Sequence, residues 1–520
     1  MSLFSLKAGQ VRALLVEAGA ALAVSALIAG CGNNYRPVVT PITPSGPEAQ
    51  VTSYAVAVST TGASTPGVAT IIDYSGDTIM AVAPIGPGPV EFTIDESGST
   101  GYTVNSDGTL TNFPITTSLQ AKNVTQSTLP SNAAPVNLLA PATVLWAADL
   151  TGNQVDIFSG SPQAYKLSVP LLAGSTLPFG VYGPPSSGAQ RYYALSQNLP
   201  DTAASAVECN SAPRSAPLGS ANPIEVVGNL VYTADAPIAV GRCPVYAVES
   251  SDQRRFFVLN RGDDTITVIN SQNNTLDSCI PFQNQDGQWV TCHQSIQLPA
   301  GSGPVEAEYN AATQQLIVAN YDGGTISVIN VPLDEYGNDS NTYTNSNCAT
   351  YAACGAITGG FGTVRTIAVG NTATPNPASV TVLYDGSKAY TANQNDGTTQ
   401  GTVTVVNLIT YTVEKTLAVE GHPRTVVSTQ NSEYSKVYAV SPDNPNLTVI
   451  QTTPTVTDQV DTTILLEGYP VDLRVTTTNG SSGTNDDFTS RIPGYGQPCN
   501  LPGASSTASL TACESNGTSQ

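Results

Sequence analysis

The chain is 520 residues long, holds 45 Gly and 37 Pro, and is only 11% charged, a profile of many short strands joined by tight turns rather than of helices. Its formal net charge is −21, from 18 Lys plus Arg against 39 Asp plus Glu. That balance argues against a nucleic-acid partner, because a phosphate backbone attracts clustered cations, and against a basic helix lying on anionic lipid. The acidity fits an exported protein kept soluble by its charge.

Residues 1–30 read as a signal peptide. Lys7 and Arg12 give a positive start, and Ala18 to Ala29 form an apolar run too short for a bilayer, which takes about 20 apolar residues. The run ends in Leu27-Ile28-Ala29-Gly30-Cys31, which resembles the lipobox of bacterial lipoproteins, although Glu17 beside the run departs from that pattern. The resemblance implies cleavage before Cys31 and a lipid on its sulfur, which makes the membrane a partner through this anchor. Several acyl chains hold firmly, since each buried CH₂ contributes about 0.8 kcal/mol. Residues 31–50 are rich in Pro and Thr and read as a tether that cannot form a core. Gly32, rather than Asp, follows Cys31. By analogy with enterobacterial sorting this favours the outer membrane of the cell envelope, with the periplasmic and surface sides both open.

From 51 to 478 the pattern is a repeat. Three strands come first, Tyr54 to Val58, Gly67 to Ile72 and Thr78 to Ile85. Further units begin near Pro89, Pro135 and Pro178, with second strands such as Tyr102-Thr103-Val104-Asn105 and Leu145-Trp146-Ala147-Ala148. Four clearer units follow. Pro244-Val245-Tyr246 leads to Phe256-Phe257-Val258-Leu259-Asn260 and Thr265-Ile266-Thr267-Val268-Ile269-Asn270; Pro304-Val305-Glu306 leads to Leu316-Ile317-Val318-Ala319-Asn320 and Thr325-Ile326-Ser327-Val328-Ile329-Asn330. Pro377 and Pro423 open the other two, whose second strands end at Asn393 and Ser441. Here the chain resembles the YVTN-type β-propeller repeat family: a Pro-initiated inner strand, a strand ending in Asn, a Thr-Val-Ser-Val-Ile-like strand and an outer strand. The resemblance implies four-stranded blades of roughly 40–50 residues. The strands at 54–85 lack an inner partner, and Pro470-Val471-Asp472-Leu473-Arg474-Val475 is an inner strand with no blade after it. Joining them closes a ring and removes its exposed sheet edges. The prediction is an all-β, single propeller of eight blades, with seven as the fallback if the interrupted unit at 178–238 fails, and a mostly flexible tail at 479–520.

Setting Cys31 aside leaves eight cysteines. Export permits disulfides, and proximity pairs Cys279 with Cys292, Cys348 with Cys354, Cys499 with Cys513 and Cys209 with Cys243. With no CxxC pair and only His293 and His422, the sequence offers no metal site and implies no cofactor. In a propeller, blade junctions and the turns between second and third strands share one face. That face collects Arg242, His422 and Arg424 from junctions, and Asp263, Asp264, Asp322 and Asp396 from turns. Arg242, Asp264, Asp322, His422 and Arg424 are the candidate ligand-binding residues, against the plain alternative that Asp in a tight turn bonds its own backbone. No GxSxG, P-loop or HExxH motif is present, so no catalytic residue is assigned. Proteins of this shape include lactonases and quinone-dependent dehydrogenases, but fold alone does not carry activity. A lactonase would depend on His422 with Asp322 or Asp264. The long insertions 202–222, 277–297 and 333–362, the last with Tyr336, Tyr343 and Tyr351, suit contact with a protein or glycan. The resulting expectation is an envelope lipoprotein that binds or scaffolds a protein or polysaccharide, with a lactonase or a surface-layer component as alternatives.

Overall fold

The computed structural model describes residues 53–476 apart from 74, 142–143, 184–190, 199–212, 229, 251, 278–281, 284–288, 291, 312, 335–336, 341–358, 430–433 and 453–457. The expected signal peptide, tether and tail lie outside the described residues. Eight antiparallel sheets, each built on four strands, form an eight-bladed β-propeller. Among the described residues, only two three-residue 3₁₀ turns, Ala121–Asn123 and Pro213–Ser215, break the β pattern. Blade 1 is composite: Tyr54–Thr60, Pro66–Asp73 and Thr78–Pro87 are completed on the inside by Tyr469–Val475. Blades 2 to 8 follow with inner strands Pro89–Ile94, Pro135–Leu139, Pro178–Tyr182, Pro244–Glu249, Pro304–Asn310, Pro377–Val382 and Thr425–Ser428. Each inner strand touches the next, and Tyr469–Val475 touches both Pro89–Ile94 and Thr425–Ser428, so the circle has no gap. The closing ladder runs from Ala55 opposite Val475 to Thr60 opposite Tyr469. Beyond it, the Thr476 N–H donates to the Tyr54 carbonyl at 2.8 Å.

The repeat residues have distinct physical jobs. The Asn that ends a second strand donates from Nδ2 across the turn to two hydroxyls of the third strand. Asn260 reaches Thr265 and Thr267, Asn320 reaches Thr325 and Ser327, and Asn393 reaches Thr402 and Thr404, all at 2.9–3.1 Å. Asn105 does the same in blade 2 with Thr109 and Thr111. Each such bond contributes about 1 kcal/mol net. Second strands are buried on both faces because blades stack face to face; Arg255–Asn260 and Gln315–Asn320 are buried at every residue. This explains why they read as continuous apolar runs rather than as alternation. Aromatic rings fill the seams, with Tyr193 stacked on Phe256 at 4.3 Å and Trp146 tilted on Tyr192 at 4.5 Å. At the start of a third strand a glycine lets the next blade's opening proline approach. A Cβ on Gly401 would stand 2.1 Å from Pro423 Cδ.

The start of the second strand also clasps the next blade. Lys388 and Tyr390 of blade 7 both bond Asp458 of blade 8. Lys436 and Tyr438 of blade 8 both bond Asp77 of blade 1. In blade 6, Gln315 donates to the Tyr411 hydroxyl of blade 7.

Two expected insertions contain strand. The stretch 202–222 runs into a long third strand, Leu218–Gly228, which pairs with Arg191–Ser196, Val231–Ala234 and Ile238–Arg242. The unit at 178–238 is therefore a full blade with a fifth strand. In blade 5 the insertion divides the outer strand: Thr275–Leu276 pairs with Ile269–Asn270, and Ser295–Gln297 with Thr265–Thr267. Much of 333–362 lies outside the described residues, Tyr336, Tyr343 and Tyr351 included.

Candidate functional site

Every inner strand opens next to a proline, and in blades 1 to 7 the ladder skips a residue immediately after it. In blade 2 Pro89 and Glu91 are paired while Val90 bulges out, and in blade 1 Pro470 and Asp472 are paired while Val471 does. Proline lacks the N–H that would continue the ladder, and a bulge beside it re-aims the side chains. Two successive residues from these strands thereby line one axial cavity of about 250 Å³, to which all eight blades contribute. The first forms an apolar collar of Val90, Val136, Phe179, Val245, Ala378 and Val471. In blade 8 this position is Arg424, which is exposed and, among the described residues, enters no ion pair.

The second residue forms a polar ring. It holds Glu91, Asn137, Tyr246, Glu306, Ser379, Thr425 and Asp472, with Gly180 at this place in blade 4. Glu306 accepts from the Ser379 hydroxyl at 2.9 Å. Asp472 accepts from Thr425 at 3.0 Å and pairs with Arg474 at 2.6 Å. Asn137 Oδ1 accepts the Val181 N–H at 2.9 Å, and the Tyr182 and Tyr246 rings meet edge-on at 5.4 Å. Of the charged residues in the cavity, Arg424 alone was among the sequence candidates. Glu91, Glu306 and Asp472 were missed, although each stands two residues after the blade's proline.

The other candidates occupy the same end of the blades but are bound to neighbours. Arg242 sits on Asp263 at 3.5 Å and donates to the Ala216 carbonyl at 2.5 Å. Asp264 is buried against Arg214 at 2.6 Å and accepts the N–H groups of Gly301 and Gly303, both at 2.8 Å. Burial raises its carboxyl, but Arg214 and these N–H groups outweigh that and hold it below the usual range. Asp322 pairs with Arg261 at 2.8 Å across the blade 5–6 seam. Asp396 accepts N–H groups from Thr399 and Thr398 within its own turn, which pull it down to about 2. His422 Nδ1 lies 2.5 Å from Asp443, so the pairing of His422 with Asp322 or Asp264 is not formed. The reason is local: Asp443 also accepts the His422 backbone N–H at 2.9 Å, which fixes the imidazole on its own blade.

A second charged cluster lies at the blade 5–6 seam. Arg255 donates to Asp277 at 2.9 Å and to Asp339 at 3.3 Å, all three nearly inaccessible. His293 Nδ1 is 2.9 Å from Asp339, and its ring stacks on Phe361 at 5.5 Å. Burial, opposed by Arg255 and reinforced by Asp339, pushes the Asp277 carboxyl up to about 7. Cys243 and Cys292 are held in disulfide bonds. Cys31, Cys209, Cys279, Cys348, Cys354, Cys499 and Cys513 lie outside the described residues.

No family model matches the chain, and no curated protein matches it. Among solved structures, the dihydro-heme d1 dehydrogenase NirN in complex with DHE is similar over 81% of this chain and 74% of its own, at 11% identity and a TM-score of 0.52. Apo AztD from Citrobacter koseri matches over 81% and 97%, at 14% identity and a TM-score of 0.49. The periplasmic gluconolactonase PpgL of Pseudomonas aeruginosa matches over 81% and 98%, at 13% and 0.45. At 11% identity the first of these likenesses speaks for the fold alone.

Proposed function

We propose that the chain is a cell-envelope binding protein, of YVTN-type repeat character, held at the membrane by a lipid on Cys31. Its propeller receives part of a protein or polysaccharide partner in the axial channel. One observation carries the reading: a cavity fed by all eight blades joins an apolar collar to a ring of carboxylates, an amide and hydroxyls, with an exposed Arg424 at its rim. Apolar walls with a few converging polar groups are what orient a ligand, and inner strands anchored in closed blades hold those groups rigidly. The expected pairings of Cys209 with Cys243 and Cys279 with Cys292 would fasten the insertions beside blades 4 and 5. The test is retention of envelope protein and polysaccharide fractions on immobilised full-length chain. A partner retained by the wild type and lost on Val136→Trp, which plugs the collar, is the expected result. Equal retention by both proteins removes the channel from the reading.

A lactone hydrolase is the second reading, favoured by the His422–Asp443 contact two residues from Arg424. It requires turnover of a lactone panel that His422→Ala abolishes. No turnover in the wild type ends it.

A further inference from the structure

We propose that the group admitted by the channel is an organic ammonium, oriented by an anion of the same ligand on Arg424. This rests on the binding reading above and narrows it. In a ring of eight, blades 2 and 6 face each other across the axis, as do blades 4 and 8. Glu91 and Glu306 therefore stand on opposite sides of the channel, and Phe179 of blade 4 stands opposite Arg424 of blade 8. Tyr182 and Tyr246 continue the aromatic side. A ligand on the axis meets a carboxylate to each side, aromatic rings on the third and a guanidinium on the fourth.

Charge and shape select among ligands. Three carboxylates and two guanidiniums face the cavity, one of them, Arg474, paired with Asp472 at 2.6 Å. The excess is negative, and low-dielectric walls focus its field along the axis. A metal ion fits poorly. Among the described residues the cluster of three ligand-type side chains close enough to share an ion is Asp277, Cys292 and Asp339, outside the channel. Arg255 already bonds both of those carboxylates. An organic ammonium has no need of converging ligands: its N–H groups reach separate carboxylates, its carbon stem packs on the collar, and aromatic faces attract its charge. A purely anionic ligand would meet Glu91 and Glu306 below the rim and be repelled.

The experiment is calorimetric titration of the full-length chain with butylamine, 4-aminobutyrate, butyrate, butanol and calcium chloride. Glucosamine and lysine amide represent sugar-borne and peptide-borne amines. The expected result is binding of 4-aminobutyrate at least tenfold tighter than butanol, weakened at least tenfold by Glu91→Gln and by Glu306→Gln, with Arg424→Ala weakening 4-aminobutyrate but not butylamine. Two carboxylate variants are included because Glu306 also holds Ser379. Loss of wild-type binding with rising salt is a third arm that needs no variant. Butyrate or calcium binding as tightly as the amines, with Val136→Trp abolishing it, overturns the ammonium assignment and leaves the channel as a binding site. No probe binding, together with partner retention indifferent to Val136→Trp, overturns both.

Discussion

Two seams of the ring solve one problem in opposite ways. Where blade 7 meets blade 8, the first residue of the second strand is Lys388, which with Tyr390 bonds Asp458 of the next blade and also pairs with Glu414 of its own blade at 3.0 Å. Where blade 5 meets blade 6, the same repeat position is Arg255, which faces two carboxylates, Asp277 from its own blade and Asp339 from the next. The first seam also sets one cation against two anions, but Lys388 and Glu414 keep 24% and 32% of their side chains in reach of water. The second buries its cation and both carboxyls almost completely, and burial beside Asp339 raises the Asp277 carboxyl. A repeated geometry thus does not fix its electrostatics; an insertion that closes over the acids turns a solvated clasp into a buried cluster.

The largest test of that contrast is Arg255→Met. Removing this guanidinium strands two buried carboxylates, and a loss of about 3–5 kcal/mol is expected in denaturant unfolding. Lys388→Met should cost clearly less, because Tyr390 still bonds Asp458 and the site is partly solvated; equal losses would erase the distinction. A smaller effect concerns pH. Burial and the neighbouring Asp339 raise the folded Asp277 carboxyl above its ordinary value, so the folded state holds more protons than the unfolded chain. This group's contribution is complete below about pH 4 and is lost as pH rises through the folded carboxyl's raised value. Asp277→Asn should remove that part of the slope, read from unfolding midpoints between pH 4 and 7; an unchanged slope would assign the proton elsewhere. The smallest is Tyr438→Phe, which removes one of two bonds to Asp77 and should cost about 1 kcal/mol.

Blade number and ring closure were legible because they rest on short-range signals: a proline, a strand ending in Asn, and a Thr-rich strand recur, and Pro470 to Val475 has the same signature without a blade to follow. The channel was half legible. Residues at junctions and turns were picked as charged groups near one face, but Asp264 and Asp322 face cationic partners at positions 214 and 261, and no local pattern announces such pairs. The better signal was periodic. Superposing the units on their prolines would have put Glu91, Glu306 and Asp472 in one register, and Arg424 alone among apolar residues in the register before it. The Arg255 cluster was not legible, since it draws on residues from 255 to 339 that meet only after two blades and two insertions have docked.

The closing ladder also fixes where the described chain enters and leaves. Inner strands start at the collar and end at the far rim, and Tyr54 and Thr476 meet at that far rim. A group joined directly at Tyr54 or at Thr476 therefore attaches at that rim. Capture through a group joined directly at Tyr54 or Thr476 leaves the collar entrance unobstructed, whereas coupling through a collar side chain would block it.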